Sequence, residues 1–221
     1  MTLSASLTRR LVRSRALLAQ RSSSSFVRNP SASASREVPT PLLFVSVKEW
    51  DPDSFRGVEH LSSFLSMKGF TSVHCDLSLP DPPTSLHSEK LMNHFVLDLK
   101  AQLRLAWHAA AFPPVLFARS AAALIAQAYI SSNPVSGMML MGEIPTSNEE
   151  VVERLLPTPL QEFDFEPKFP IALLTTPRKL EQLRKTNRLA QADAVDSFTA
   201  ADMESQEALM KIESWLDDLG I

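Results

Sequence analysis

Ser120 ends the apolar run Pro114-Val115-Leu116-Phe117-Ala118-Arg119 and opens the run Ala121-Ala122-Ala123-Leu124-Ile125. A serine hydroxyl at such a junction has two physical uses. It attacks an acyl carbon when a neighbouring base takes its proton. Otherwise it caps the helix that follows, accepting a free backbone N–H of the first turn. The bases on offer are His60, His74, His87, His94 and His108, and all five precede Ser120. His74 is the candidate among them, because it closes an apolar stretch, Thr71–Asp76, near the edge where parallel sheets bind ligands. Its alternative is a partly buried histidine bonded to backbone. Glu143, just past Gly137–Met141, is a further carboxylate candidate. Metal-ligand spacing is lacking, Cys75 is the only cysteine, and five glycines form no phosphate loop. Neither a metal nor a cofactor is expected.

The frame for these residues alternates short apolar runs with longer amphipathic ones. Pro41–Val47, Thr71–Asp76, Pro114–Ala118, Gly137–Met141 and Phe169–Thr176 have strand length and continuous apolarity. Between the first two lies a helix with Asp53 or Ser54 as N-cap, Val58, Leu61 and Leu65 on one face, and Gly69 at its end. The longest helix spans about residues 88–111, burying Met92, Phe95, Val96, Leu99 and Leu103 and turning Lys90, His94, Arg104 and His108 to solvent. Ser120 begins another helix, and Leu209, Ile212, Leu216 and Leu219 mark the last. The pattern predicts an α/β fold: a mostly parallel sheet of about five to six strands with helices on both faces. The proline-containing stretch 143–168 is too long for a simple connection and predicts a small cap over the sheet.

The charge distribution divides the chain. Met1–Arg36 contains no Asp, Glu or Lys but seven arginines and ten serines. Leu3, Leu7, Leu11 and Leu18 recur at near-helical spacing, with Arg9, Arg10 and Arg13 largely off that stripe. An acid-free, Arg- and Ser-rich amphipathic segment predicts a mitochondrial transit peptide over 1–36, hence a matrix protein. The chain has 22 basic and 25 acidic residues; without those seven arginines 15 stand against 25, a formal net charge of −10. Such a domain repels phosphate backbones, so no nucleic acid is expected. Uncharged Ser120–Gly142 is split by Ser131-Ser132-Asn133-Pro134 into pieces too short for a bilayer, so no transmembrane segment is expected. Against the acidic background, Arg178, Lys179, Arg184, Lys185 and Arg188 cluster beside Leu180, Leu183 and Leu189. They form either a solvated helix face or a docking site for an acidic protein partner or an anionic lipid surface.

From about residue 41 to 219 the order of elements resembles the α/β-hydrolase family. Pro41-Leu42-Leu43-Phe44-Val45 resembles the strand that leads into its oxyanion loop, and Trp50, Ser54 and Phe55 fall where that loop turns into a helix. Lys68-Gly69-Phe70-Thr71-Ser72-Val73-His74-Cys75-Asp76-Leu77 resembles its succession of Gly, aromatic residue, strand and Asp. Pro114–Ala122 stands in the place of the nucleophile elbow, Gly-x-Ser-x-Gly in the family, with Ala118 and Ala122 replacing the glycines. Nothing before Pro41 is assigned to the family's first two strands, which implies a trimmed version.

The resemblance implies a nucleophile at Ser120, an acid after the fifth strand and a histidine before the last helix. The acid position reads Thr176-Pro177-Arg178-Lys179, no histidine lies within Asp196–Asp202, and the oxyanion loop reads Ser46-Val47 in place of His-Gly. These three departures favour a protein without a complete triad, acting through protein contacts as an assembly factor or complex subunit. Two alternatives stand beside it: an esterase- or thioesterase-type serine hydrolase using Ser120 in an unorthodox site, and a small-molecule binder in a retained pocket.

Overall fold

The structure is a computed structural model that describes residues 22–80, 87–106, 112–145 and 155–221. Its sheet is built of β1 (Ser24–Arg28), β2 (Val38–Ser46), β3 (Phe70–Asp76), β4 (Val115–Arg119), β5 (Gly137–Met141), β6 (Ile171–Thr175) and β7 (Val195–Thr199). They lie in the order β1-β3-β2-β4-β5-β6-β7. All neighbours run parallel except β1, which is antiparallel to β3. The helices are α1 (Val58–Met67), α2 (Ser88–Ala106), α3 (Ala122–Ile130), α4 (Pro177–Thr186), α5 (Arg188–Gln191) and α6 (Gln206–Asp218). None of the described helices is long and apolar enough to cross a membrane.

The strands read as continuous apolar runs because both faces of the sheet are covered. Leu43, Val45, Val73, Leu116, Leu140, Ile171 and Leu173 pack on one face with α2 and α3. Leu42, Phe44, Phe117, Met139, Ala172 and Leu174 pack on the other with α1 and α6. At β2 the chain order reverses: β3 lies on one side of it and β4 on the other. The loops leaving β2 and β4 therefore diverge and open a crevice at the carboxyl edge, the usual ligand position in such sheets.

Three expectations are corrected. The sheet has seven strands, because β1 and β7 join the five that the apolar runs mark. β1 lies before Pro41, inside the Arg/Ser-rich segment, where no strand was expected. The helix expected after β2 is split: Pro52–Phe55 forms a 3-10 turn capped by Asp51, not by Asp53 or Ser54. Gly57, at φ 74°, then turns the chain into α1; a Cβ there would press on Glu204 and Arg119.

Of the 143–168 stretch, residues 146–154 lie outside the described residues, as do His108 and the end of the long helix. Residues 155–168 run along the start of α2. Leu156 and Leu160 are buried there. The Ser88 N–H donates to Thr158 Oγ1 and the Thr158 N–H to Ser88 Oγ, both at 3.0 Å.

Candidate functional site around Ser120

Ser120 links β4 to α3 at φ 55°, the one positive φ outside glycine among the described residues. Its N–H donates to the Met141 carbonyl at 3.1 Å, and its own carbonyl accepts the Ala123 N–H at 3.0 Å. The backbone is thus held from both sides in a conformation that costs an L-residue about 1–2 kcal/mol. Ala118, Ala121, Ala122 and Ala123 are buried around the turn. The serine is not a helix cap. Ala121 occupies that position and α3 has no side-chain cap; the Ser120 hydroxyl has no hydrogen-bond partner among the described residues.

The next N–H, that of Ala121, donates to Asp51 Oδ2 at 2.8 Å. Asp51 Oδ1 accepts the Asp53 N–H at 3.0 Å, so one carboxylate serves its own turn and the elbow together. The loop that carries it is tightly bonded. The Asp51 N–H reaches the Val47 carbonyl at 2.8 Å, and Ser54 Oγ bridges the Val47 N–H (2.9 Å) to the Asp51 carbonyl (2.6 Å). Trp50 Nε1 donates to the Leu155 carbonyl at 2.9 Å, tying the loop to the segment beyond β5.

Two cavities meet at Ser120. One of about 390 Å³ is lined by Asp53, Arg56, Arg119, Glu143, Thr176 and Asp202 among others. The second, of about 350 Å³, is lined by Trp50, Asp51, Pro145, Leu155 and Lys179 among others. Among the described residues no histidine lines either. Charges in the walls are largely spent on one another. Glu204, in the connection between β7 and α6, pairs with Arg56 Nε at 3.0 Å and Arg119 Nη1 at 3.8 Å. Arg119 also donates to the Arg56 carbonyl at 2.9 Å. Burial lowers its pKa, Glu204 opposing the shift. Glu143 is ion-paired with Lys179 at 2.8 Å. Thr176 caps α4, accepting the Lys179 N–H at 3.3 Å.

The structure therefore places Glu143 in the walls of both cavities with Ser120, but not His74. β2 separates β3 from β4, so His74 lies two strand spacings, about 9–10 Å, from β4. Its ring is also engaged. Ser46 Oγ donates to Asp76 Oδ1 at 2.8 Å and so accepts from His74 Nε2 at 2.9 Å. Phe55 stacks on the imidazole and Phe26 meets it edge-on, both with ring centroids 4.9 Å away. Burial pushes its pKa down to about 4, Asp76 opposing and Lys48 reinforcing the shift. His60 and His87 are exposed, whereas His94 is half-buried with Nε2 3.2 Å from the Ser78 carbonyl, not turned to solvent.

The basic cluster divides. Arg178, Arg184 and Lys185 are exposed on α4. Lys179 turns to Glu143, and the Arg188 guanidinium lies over the Phe165 ring, 4.4 Å from its centroid. Asp51, Arg119 and Glu204 escaped the sequence reading. Asp51 alone carried a signal, since Asp-Pro at 51–52 is an N-cap followed by Pro at the first helical position.

Two measurements test this geometry. In urea titrations, Ser120→Gly should leave stability level or raise it by up to about 1 kcal/mol, because glycine relieves the positive φ. Ser120→Ala should change it by less than about 0.5 kcal/mol, no cap bond being lost; a loss of 1 kcal/mol or more in both variants contradicts the strained turn. For His74 the unfolded chain takes up the proton near pH 6.5 and the folded chain only near 4. Stability is thus unaffected above pH 6.5 and falls as pH drops through that window, by up to about 3 kcal/mol. His74→Gln should flatten that part of the profile, and an unchanged slope contradicts the assignment.

No family model and no curated protein matches the chain. Solved structures do match. A thermophilic esterase from Thermogutta terrifontis, with propionate bound, aligns over 92% of both chains at TM-score 0.60 and 11% identity. An α/β serine hydrolase homologue from Coxiella burnetii aligns over 89% of this chain and 91% of its own at TM-score 0.57 and 15% identity. A soluble variant of monoglyceride lipase from Saccharomyces cerevisiae covers 89% and 92% at TM-score 0.55 and 13% identity. Together with the strand order and the turn at Ser120, these likenesses show that the chain has the α/β-hydrolase fold.

Proposed function

We propose that this chain is a non-catalytic protein of α/β-hydrolase fold that works through protein contacts in the mitochondrial matrix, as an assembly factor or complex subunit. One observation carries the non-catalytic part: the Asp51 carboxylate on the Ala121 N–H. In acyl transfer at an elbow serine, the N–H of the following residue must hold the negative oxygen of the tetrahedral intermediate. Here that donor already holds a negative group. Two unit charges about 4 Å apart repel by about 4 kcal/mol at an effective dielectric of 20. That is a rate penalty of about a thousandfold before the missing base is counted. The location rests on the Arg/Ser-rich leader. The protein-contact reading draws support from Arg178, Arg184 and Lys185, exposed on an otherwise acidic domain. Leu97 and Leu105 are also exposed on α2.

A second reading, a serine hydrolase of esterase or thioesterase type, is favoured by the positive φ at Ser120. Strain of this kind is kept where surrounding structure over-determines it, often at functional sites. The esterase and lipase among the structural neighbours carry such activities in their names. A small-molecule binder would use the two cavities at Ser120 without its hydroxyl's chemistry.

Fluorophosphonate labelling of the full chain, read by intact mass, decides between the first two. The non-catalytic reading expects no adduct at Ser120, and a Ser120→Ala protein that supports cell function at normal abundance. A specific Ser120 adduct, with function lost in a folded Ser120→Ala protein, would establish the hydrolase instead.

A further inference from the structure

Among the charges in the cavity walls, Arg119 is the least well met. We propose that its guanidinium is an anion site, which takes the carboxylate of a small organic acid whose apolar remainder extends past Ser120 into the second cavity. The proposal deepens the small-molecule reading above and rests on it.

The Arg119 side chain is 13% exposed, and a buried cation is costly unless an anion bonds to it. Glu204 does not supply that bond. Its Oε1 accepts from Arg56 Nε at 3.0 Å and stays 3.8 Å from Arg119 Nη1, so one carboxylate stands between two guanidiniums. The other acids of the walls are engaged or distant. Glu143 is paired with Lys179, and Asp51 holds the N–H groups of Asp53 and Ala121. Asp202 Oδ1 accepts the Glu204 N–H at 3.0 Å. Asp53 and Asp202 are exposed, and among the described residues neither bonds to Arg119.

The guanidinium is nevertheless fixed in place. Nη1 donates to the Arg56 carbonyl at 2.9 Å. Gly142, at φ 71°, lies along the side chain, where a Cβ would stand 3.3 Å from Arg119 Nε. At the far end a Cβ on Gly57 would stand 3.4 Å from Nη1. Gly142 is itself held, its N–H on the Leu174 carbonyl at 2.9 Å and its carbonyl accepting from Thr175 Oγ1 at 2.7 Å. Two left-handed glycines thus let backbone close on both ends of one side chain.

What remains is a fork. Nε and Nη2 bond to nothing among the described residues, and that edge of a guanidinium matches the two oxygens of a carboxylate. Arg119 lines the cavity of about 390 Å³ together with Ser120, whose hydroxyl is a second donor. Ser120 also lines the cavity of about 350 Å³, where Trp50, Pro52, Pro145 and Leu155 offer apolar wall. The ligand carries one negative charge, because Asp53, Glu143 and Asp202 in the same wall repel a second. Binding makes and breaks no covalent bond, so it needs neither a base nor the Ala121 N–H.

Hexanoate and its neutral isostere hexanamide, titrated into the full chain and followed by ligand NMR, test the site. Hexanoate should bind about ten- to hundredfold more tightly than hexanamide, the difference that a charge-assisted fork supplies. Hexyl phosphate, with its second charge, should bind more weakly than hexanoate, and tighter binding overturns the choice of carboxylate. Arg119→Gln should remove the advantage of hexanoate, whereas Arg184→Gln, an equal change of charge on the exposed face of α4, should keep it. An equal loss in both variants overturns the site. The wild-type comparison decides even where Arg119→Gln fails to fold. Equal affinity for hexanoate and hexanamide overturns the anion site and leaves the small-molecule reading standing. Binding of neither overturns the anion site and counts against that reading as well.

Discussion

The hydrogen bond from the Ala121 N–H to the Asp51 carboxylate joins the two loops that diverge where the sheet's strand order reverses. Its need arises locally. The first turn of α3 is made of buried alanines, so no side chain there can satisfy its leading N–H groups. The Ala123 and Leu124 N–H groups find the Ser120 and Ala121 carbonyls, and the Ala121 N–H takes its acceptor from the other loop. An anionic acceptor at a helix N-terminus is also favoured by the helix dipole. The same carboxylate closes the turn at Asp53, so the geometry of residues 47–55 and of the elbow depend on each other.

On the non-catalytic reading proposed above, what this bond does for stability it undoes for hydrolysis. The elbow keeps its strained backbone and its open hydroxyl, the parts of a nucleophile that come from steric fit. The electrostatic parts are otherwise engaged. The oxyanion donor is occupied by an anion, Thr176 caps a helix where the acid would stand, and Glu204 binds two arginines near the place of the base. Glu143, which lines both cavities with Ser120, is held by Lys179. Charges satisfied this way cost little when buried but are poor acids, bases and oxyanion stabilisers.

Much of the fold was legible because a strand covered on both faces must be continuously apolar. Leu42–Val45, Val115–Ala118 and Ile171–Leu174 say so directly. β1 was hidden because an edge strand needs only half its side chains buried, and Ser24-Ser25-Phe26-Val27-Arg28 sits in a segment whose composition reads as leader. β7 was hidden for the same reason, with one buried residue in Val195–Thr199. The serine at the elbow was legible as a candidate, but its conformation was not, since only glycine and asparagine announce a positive φ by type. The basic cluster shows the limit of helical spacing. It placed five cations near one another but could not show that Lys179 meets Glu143 or that Arg188 meets Phe165, contacts made by distant chain.

The central claim is that Asp51 holds the donor an oxyanion would need, and amide hydrogen exchange at Ala121 tests it most directly. The account predicts an Ala121 N–H protected in the native chain and at least about tenfold less protected in Asp51→Ala, with the rest of α3 unchanged. Equal protection of that amide in both proteins would contradict it.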